Sequence, residues 1–467
     1  MNRRLCAPSL LAAALVCCSS PPAREELIDE RAAAPAREEC ADSLGAAAIR
    51  RIAPAPDQRR FLCRIYAIEN SVTQRPLVPD NDVTLLVDGP ATHAAQLAAI
   101  QRARHHVHLN AYIFNDDETG RQYFDAMIER ARAGVHVRLM IDGFGALSLG
   151  PGFRSALEEA GVEVHEYASI NPLEQPELWR ISQRNHRKLL IVDGRVAFTG
   201  GIGISDQYSR SSASGSPEHG WRDTHIRVAG PAVAEFQRIF LENWRREVGP
   251  VPDDSSYWPA LPAAGDELVR AVSKEGEDVS DLMLSPFARM VRRMRAQRER
   301  NAIYASYLAA ISESERRVWI TQAYFAPNRE FRRALESAAR RGSDVRLLVP
   351  ANSDVGFLLW ASRDQYGDLL RAGVRIFEYE GPVLHAKTAV VDGVWSTVGS
   401  SNLDYMSFIH NDEANAIVVG HAFAREMERM FLDDLANARE VTLDAWRARP
   451  LEDRILQGVA SAFKYWI

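Results

Sequence analysis

The sequence predicts an α/β protein built as two tandem α/β/α repeats, with mixed, parallel-rich sheets packed about a pseudo-twofold axis. Three observations predict it. Strand-like and helix-like patterns alternate through most of the chain, the order of these patterns recurs about 200 residues later, and each copy ends in the same short polar motif.

The elements follow in order. His108-Leu109-Asn110-Ala111-Tyr112-Ile113-Phe114 is rich in branched and aromatic residues and reads as a strand. A helical pattern over 121–133 comes next, then Gly134 and a strand over 135–141. The second copy opens at Val318-Trp319-Ile320-Thr321-Gln322-Ala323-Tyr324-Phe325, continues as a helix over 329–341, then Gly342 and a strand over 344–349. Both copies proceed to a helix ending in Ala-Gly and a further strand, at Ala160-Gly161 and Ala372-Gly373. Glycine after each helix suits a left-handed C′ cap. The offset between copies is 208 residues at Gly134/Gly342, 212 at Gly161/Gly373 and 199 at His186/His385. The first copy therefore carries about a dozen extra residues near 171–180, read either as a loop over a site or as a surface excursion.

These landmarks divide the chain into an export signal (1–18), an N-terminal segment (19–78), repeat 1 (79–249), a linker (250–300), repeat 2 (301–440) and an amphipathic C-terminal tail (441–467). Arg3 and Arg4 precede a short apolar run, which is followed by Cys17 and Cys18. This leader implies an exported protein, periplasmic or membrane-anchored as a lipoprotein acylated on Cys18; a plain secretory signal is the alternative, because Cys17 occupies a position where a smaller residue is usual. Cys40 and Cys63 then either pair or remain two thiols. The basic stretch 289–300 reads first as a solvated helix face, with an anionic headgroup contact as the alternative. The tail ends Phe463-Lys464-Tyr465-Trp466-Ile467, which suits either a bilayer interface or packing on the body.

Composition narrows the function. At 46% hydrophobic and 25% charged the chain is globular, and its net charge of −6 lacks the basic excess that phosphate-backbone binding needs, so no nucleic-acid partner is expected. Of 56 basic residues only four are lysine: Lys188, Lys274, Lys387 and Lys464.

Two of those four lie in the repeated motif. Asn185-His186-Arg187-Lys188 leads to Asp193 and Gly200-Gly201; Leu384-His385-Ala386-Lys387 leads to Asp392 and Gly399-Ser400-Ser401-Asn402. Both are H-x-K-x4-D, with glycine seven residues after the aspartate. In a strand, residues two apart share a face, so each histidine projects beside its lysine. A compact ammonium is not interchangeable with arginine. Two lysines would repel a metal cation but suit an anionic phosphodiester, which one imidazole attacks while the other protonates the leaving alcohol. Neither cofactor nor metal is expected. The catalytic candidates are His186, Lys188, Asp193, His385, Lys387 and Asp392. Asp223 and Glu413 follow the two histidines by 37 and 28 residues and are expected to fix the ring tautomers, the ordinary alternative being surface ion pairs.

These motifs resemble the phospholipase D superfamily over about residues 80–440, most closely the bacterial cardiolipin synthases, as do Tyr112-Ile113-Phe114-Asn115-Asp116-Asp117-Glu118-Thr119-Gly120, Ala323-Tyr324-Phe325-Ala326-Pro327 and Gly399-Ser400-Ser401-Asn402-Leu403-Asp404. The resemblance implies a phosphatidyltransferase working through a phosphohistidine on His186, with His385 as general acid. It makes Asp193 and Asp392 more structural than catalytic, has Asp223 and Glu413 orient the rings, and adds Asn402, Gly201 and Ser401 as supporting residues. The implied partners are phosphatidylglycerol, an alcohol acceptor and a peripherally contacted membrane. Gly203 departs from the asparagine usual after the first Gly-Gly, and Met406 from a common arginine. The competing readings are a phospholipase D releasing phosphatidic acid, a nuclease or other phosphodiesterase, and a lipid-binding scaffold without activity.

Overall fold

The computed structural model of the protein describes residues 44–450 apart from 54, 74, 151, 170–182, 213–219, 253, 276–301 and 354–355, together with 452–454 and 457. The leader, Cys40, the insertion near 171–180, the basic stretch 289–300 and the aromatic end of the tail all lie outside the described residues.

The first repeat supplies strands β1 (Val78–Val87), β2 (His106–Ala111), β3 (His136–Asp142), β4 (Glu163–Tyr167), β5 (Leu189–Val192), β6 (Val196–Gly200) and β7 (Thr224–Ala229). The second supplies β8 (Glu267–Lys274), β9 (Arg317–Gln322), β10 (Asp344–Pro350), β11 (Arg375–Tyr379), β12 (Lys387–Val391), β13 (Trp395–Gly399) and β14 (Glu413–Val419), with β15 (Ala438–Val441) at the edge. They join into one sheet ordered β15-β11-β10-β9-β12-β13-β14-β8-β1-β7-β6-β5-β2-β3-β4. Read outward from the central antiparallel β1–β8 pair, the two halves repeat one another, which is the expected twofold relation.

The sheet is mixed, as expected. Among the named strands parallel pairing is confined to β2–β3–β4 and β9–β10–β11, where helices cross over between strands. The motif strands β5 and β12 return by hairpins, so the centre is antiparallel. Residues 250–300, expected as linker, include β8, which opens the second half of the sheet. Its pattern is masked because two cations, Arg270 and Lys274, are buried in it: Arg270 meets Glu69 at 3.3 Å, and Lys274 Nζ donates to the Asn411 carbonyl at 2.8 Å.

Helices cover both faces. On one, α1 (Asp88–Gln101) and α2 (Glu118–Arg132) pack on the first half. The opposite face is covered by α3 (Val233–Glu247). In the second half α4 (Ala302–Glu313) and α5 (Arg329–Arg340) correspond to α1 and α2, and α6 (His421–Leu435) to α3. The crossover helices are capped alike: Asp117 accepts from the Gly120 amide and Asn328 from the Phe331 amide, both at 2.9 Å. Gly134 and Gly342 have φ of 87° and 99°, the left-handed caps the sequence predicts. The N-terminal segment is not separate: Phe61, Leu62, Ile65 and Ile68 are buried in the second half's core. Cys63 is disulfide-bonded. No helix among the described residues is long and apolar enough to cross a membrane.

Candidate active site

The two motifs meet at the seam between the halves. The His186 amide donates to the Asp412 carbonyl at 2.9 Å, and the His385 amide to the Arg222 carbonyl at 2.8 Å. Each histidine backbone is thus held by the opposite repeat. Buried ion pairs brace both contacts: Arg187 and Arg246 reach Asp412 at 2.6 and 2.7 Å, and Arg222 forms a bidentate pair with Asp434 at 2.7 Å.

The orienting acids are crossed. The spacing of 37 and 28 residues pairs each acid with the histidine of its own repeat; the structure instead places Glu413 3.0 Å from His186 Nδ1 and Asp223 2.7 Å from His385 Nδ1. The cause is topological. β7 and β14 flank the central pair, so the residues at their starts face across the seam. With Nδ1–H donated to a carboxylate, Nε2 is the ring nitrogen assigned to attack or proton transfer.

Electrostatically the two acids differ. Burial alone would raise the Glu413 carboxyl, but His186, the Ser400 hydroxyl and Lys188 hold it down to about 2. Ser400 and Ser407 both donate to Glu413, the latter at 2.8 Å. Burial pushes Asp223 up to about 6, with Lys387 offsetting only part of the penalty. Asp223 has no such hydroxyl from the position matching Ser400, which is Gly201; a Cβ there would lie 2.1 Å from its carboxylate. Gly203 is tightly but less severely confined, since a Cβ would stand 3.0 Å from Ile113 Cβ and 3.3 Å from the Tyr208 ring. Tyr208 fills the space an asparagine would need and sets its hydroxyl 3.2 Å from His385 Nδ1.

Lys188 donates to the His186 carbonyl at 3.1 Å and lies over the Tyr112 ring; Lys387 donates to the His385 carbonyl and lies over Tyr324. Burial lowers Lys188, and the charge of Lys387 lowers it further, to about 7. The two ammonium groups therefore share one anion-seeking space. Burial also lowers His186, against the pull of Glu413, which favours the neutral ring. Tyr112 packs edge-on to His186, and Trp221 and Tyr324 pack on His385, giving the mouth an aromatic rim.

A titration prediction follows from Lys188. Below about pH 7 it is already an ammonium; above, it is largely neutral, and a bound phosphodiester anion pulls its pKa back up. Binding of a phosphate-like anion at pH 8 should take up close to one proton, and at pH 5.5 almost none from this group. Calorimetry in buffers of different ionisation enthalpy measures the uptake, which Lys188→Met should abolish.

Asp193 and Asp392 are not at the site, which corrects their place among the catalytic candidates. Each begins an Asp-Gly turn in left-handed backbone, with φ of 54° and 61° for Asp193-Gly194 and 52° and 67° for Asp392-Gly393. Each carboxylate accepts three consecutive amides, those of Arg104, His105 and His106, or of Glu315, Arg316 and Arg317. They tie the motif hairpin to the start of β2 or β9. Asp392→Ala should therefore cost about 3 kcal/mol, since it strands three amides that had a charged acceptor. Denaturation measures this, while activity per folded molecule stays close to that of the parent.

Of the supporting residues, Asn402 donates its backbone N–H to the Ser407 hydroxyl at 3.2 Å, and the Ser401 backbone N–H donates to the Asn415 side-chain oxygen at 3.2 Å. Ser400, not Ser401, meets the acid. Comparing Gly201 with Ser400 in the repeat alignment contains that signal. Ser407, Tyr208 and Asp142 give none. Ser407 sits in a π-helical turn, Met406–His410, that no local pattern announces. Asp142 accepts from the Asn185 amide at 2.8 Å and so fixes the approach to His186.

Comparison with known proteins agrees with this geometry. The family described as cardiolipin synthase, PLD-like domain, matches residues 97–244 and 307–435. The chain is 34% identical to a cardiolipin synthase of Geobacillus kaustophilus over 418 residues, 88% of this chain and 77% of that one. It is 33% identical to the major cardiolipin synthase ClsA of Bacillus subtilis over 384 residues, 82% and 74% of the two chains. In fold it is similar to a phosphatidylserine synthase of Haemophilus influenzae, with TM-score 0.62, 12% identity and coverage of 86% of this chain and 97% of that chain. The chain belongs to the cardiolipin synthase family and is a phosphatidyltransferase of the phospholipase D superfamily.

Proposed function

We propose that the protein transfers the phosphatidyl group of one phosphatidylglycerol to a second, forming cardiolipin and free glycerol through a phosphohistidine on His186. The observation that carries this reading is the crossed pairing, which fixes two imidazoles by Nδ1 across one seam where Lys188 and Lys387 are close enough to act on each other's charge.

His186 Nε2 attacks phosphorus, the bond to the glycerol headgroup breaks, and His385 Nε2–H protonates the departing oxygen. The acceptor hydroxyl then gives its proton to His385 as its oxygen attacks phosphorus, and the P–N bond breaks to restore neutral His186. Lys188 and Lys387 stabilise the charge that grows on the phosphoryl oxygens. Glu413, held low by His186, Ser400 and Lys188, supports the nucleophile's role for His186, because its anion compensates the cationic phosphohistidine. Positive charge is supplied by the chain itself, so the steps need no metal.

Incubation with phosphatidylglycerol vesicles and mass spectrometry of the lipids tests the reading. Cardiolipin with equimolar glycerol is expected; phosphatidic acid as the sole product would overturn it in favour of a hydrolase. The leader supports export and acylation at Cys18, which the mass of the mature N-terminal peptide checks.

A further inference from the structure

We propose that the loop of residues 143–150 inserts into the bilayer surface and docks the active-site mouth on its lipid substrate. The proposal rests on the phospholipid reading above only for the nature of the partner.

The loop follows β3 at the end of the strand nearest His186. Its attachment to the site is direct: the Phe114 amide donates to the Gly145 carbonyl, and a Cβ at Gly145 would lie 1.7 Å from the Tyr112 carbonyl, while Tyr112 packs on the His186 ring at 4.7 Å between centroids. At its root Asp142 accepts from both the Phe144 and Asn185 amides, at 2.9 and 2.8 Å. One residue layer separates the loop from the reacting nitrogen.

Its side chains are sorted by direction. Ala146 and Leu149 pack inward on the core of the first half, whereas Phe144 and Leu147 are 56% and 57% exposed, the two most exposed large apolar side chains among the described residues. Two such groups one turn apart beside a substrate mouth are unusual on a water-facing surface. Beside the loop opens a cavity of about 430 Å³, with Phe124 and Phe153 in its walls together with Asn115, Asp116, Arg121 and Asp125.

A loop that enters lipid must carry its own hydrogen bonds, because no water is there to complete them. This one does. The Phe144 amide is bound by Asp142, that of Ala146 by the Asp142 carbonyl at 3.0 Å, that of Leu147 by Phe144 at 3.4 Å and that of Leu149 by Ala146 at 3.0 Å. Charge does not drive the contact. Arg121 at the rim is already paired with Asp116 at 3.2 Å, and Asp125 lies nearby, so the attraction is apolar and insensitive to salt.

The test uses the full chain with Cys18→Ala as the parent, so that no acyl anchor contributes, and adds Phe144→Ser/Leu147→Ser. Flotation with phosphatidylglycerol/phosphatidylcholine vesicles should show binding weakened about 10- to 100-fold, with the parent's binding unchanged by added salt. Turnover of a short-chain phosphatidylglycerol below its micellar concentration should stay within about twofold of the parent, which also shows that the variant folds. The catalytically disabled His186→Ala protein should float like the parent. Vesicle binding by the double variant equal to the parent's, or parent binding lost in salt, would overturn the proposal. Failure of the parent to make cardiolipin from either lipid form would overturn the transferase reading alone, because flotation is read without turnover.

Discussion

His186→Ala should lose phosphatidyl transfer by at least about 10⁴-fold in kcat/KM, and His385→Ala should lose nearly as much. The two effects should not add. Once either imidazole is gone, the remaining rate comes from binding and from the lysine charges, so the double variant should be about as slow as either single one. Rates on defined phosphatidylglycerol, measured for all three proteins, check this. Independent losses that multiply would mean that the rings serve separate sites, and would contradict the shared seam. Vesicle binding should survive in each, since Arg187–Asp412, Arg222–Asp434 and the backbone contacts of both motifs still brace the halves when a ring-to-acid contact is lost.

Much of the site is legible in the sequence because its signals are local. A histidine and a lysine two residues apart, repeated in a chain with four lysines, need no tertiary knowledge. The crossover helices and their glycine caps are local too, and the structure places them within about three residues of their expected bounds. What fails is whatever the seam decides. Asp223 and Glu413 are recognisable as acids at equivalent positions, yet their partners lie 162 and 227 residues away, in the other repeat. β8 is obscured because Arg270 and Lys274, which read as surface residues, are buried against partners supplied by a distant helix and loop. The motif aspartates mislead in the opposite sense. They sit within the motif that carries the chemistry, but their carboxylates are spent on backbone amides at the far end of the hairpin.

The crossed acids provide the second large effect, and their different environments separate the two roles. Glu413→Gln should lower kcat about 10³- to 10⁴-fold by removing the anion that fixes and compensates His186, and Asp223→Asn should cost a comparable factor at His385. The pH profiles should then differ. Glu413, held at about 2, stays ionised across the working range and contributes no limb. Asp223, raised to about 6, is an anion above that pH and neutral below it, so activity should fall as pH drops through about 6. His186 also requires its neutral form, and burial has moved its pKa down. The two assignments are separable, because losing the Glu413 charge would move a His186 limb further toward acid while leaving an Asp223 limb in place. The limb near 6 should therefore persist in the residual activity of Glu413→Gln and vanish in that of Asp223→Asn. A limb that instead shifts in Glu413→Gln would assign the titration to His186 and place Asp223 outside the proton path.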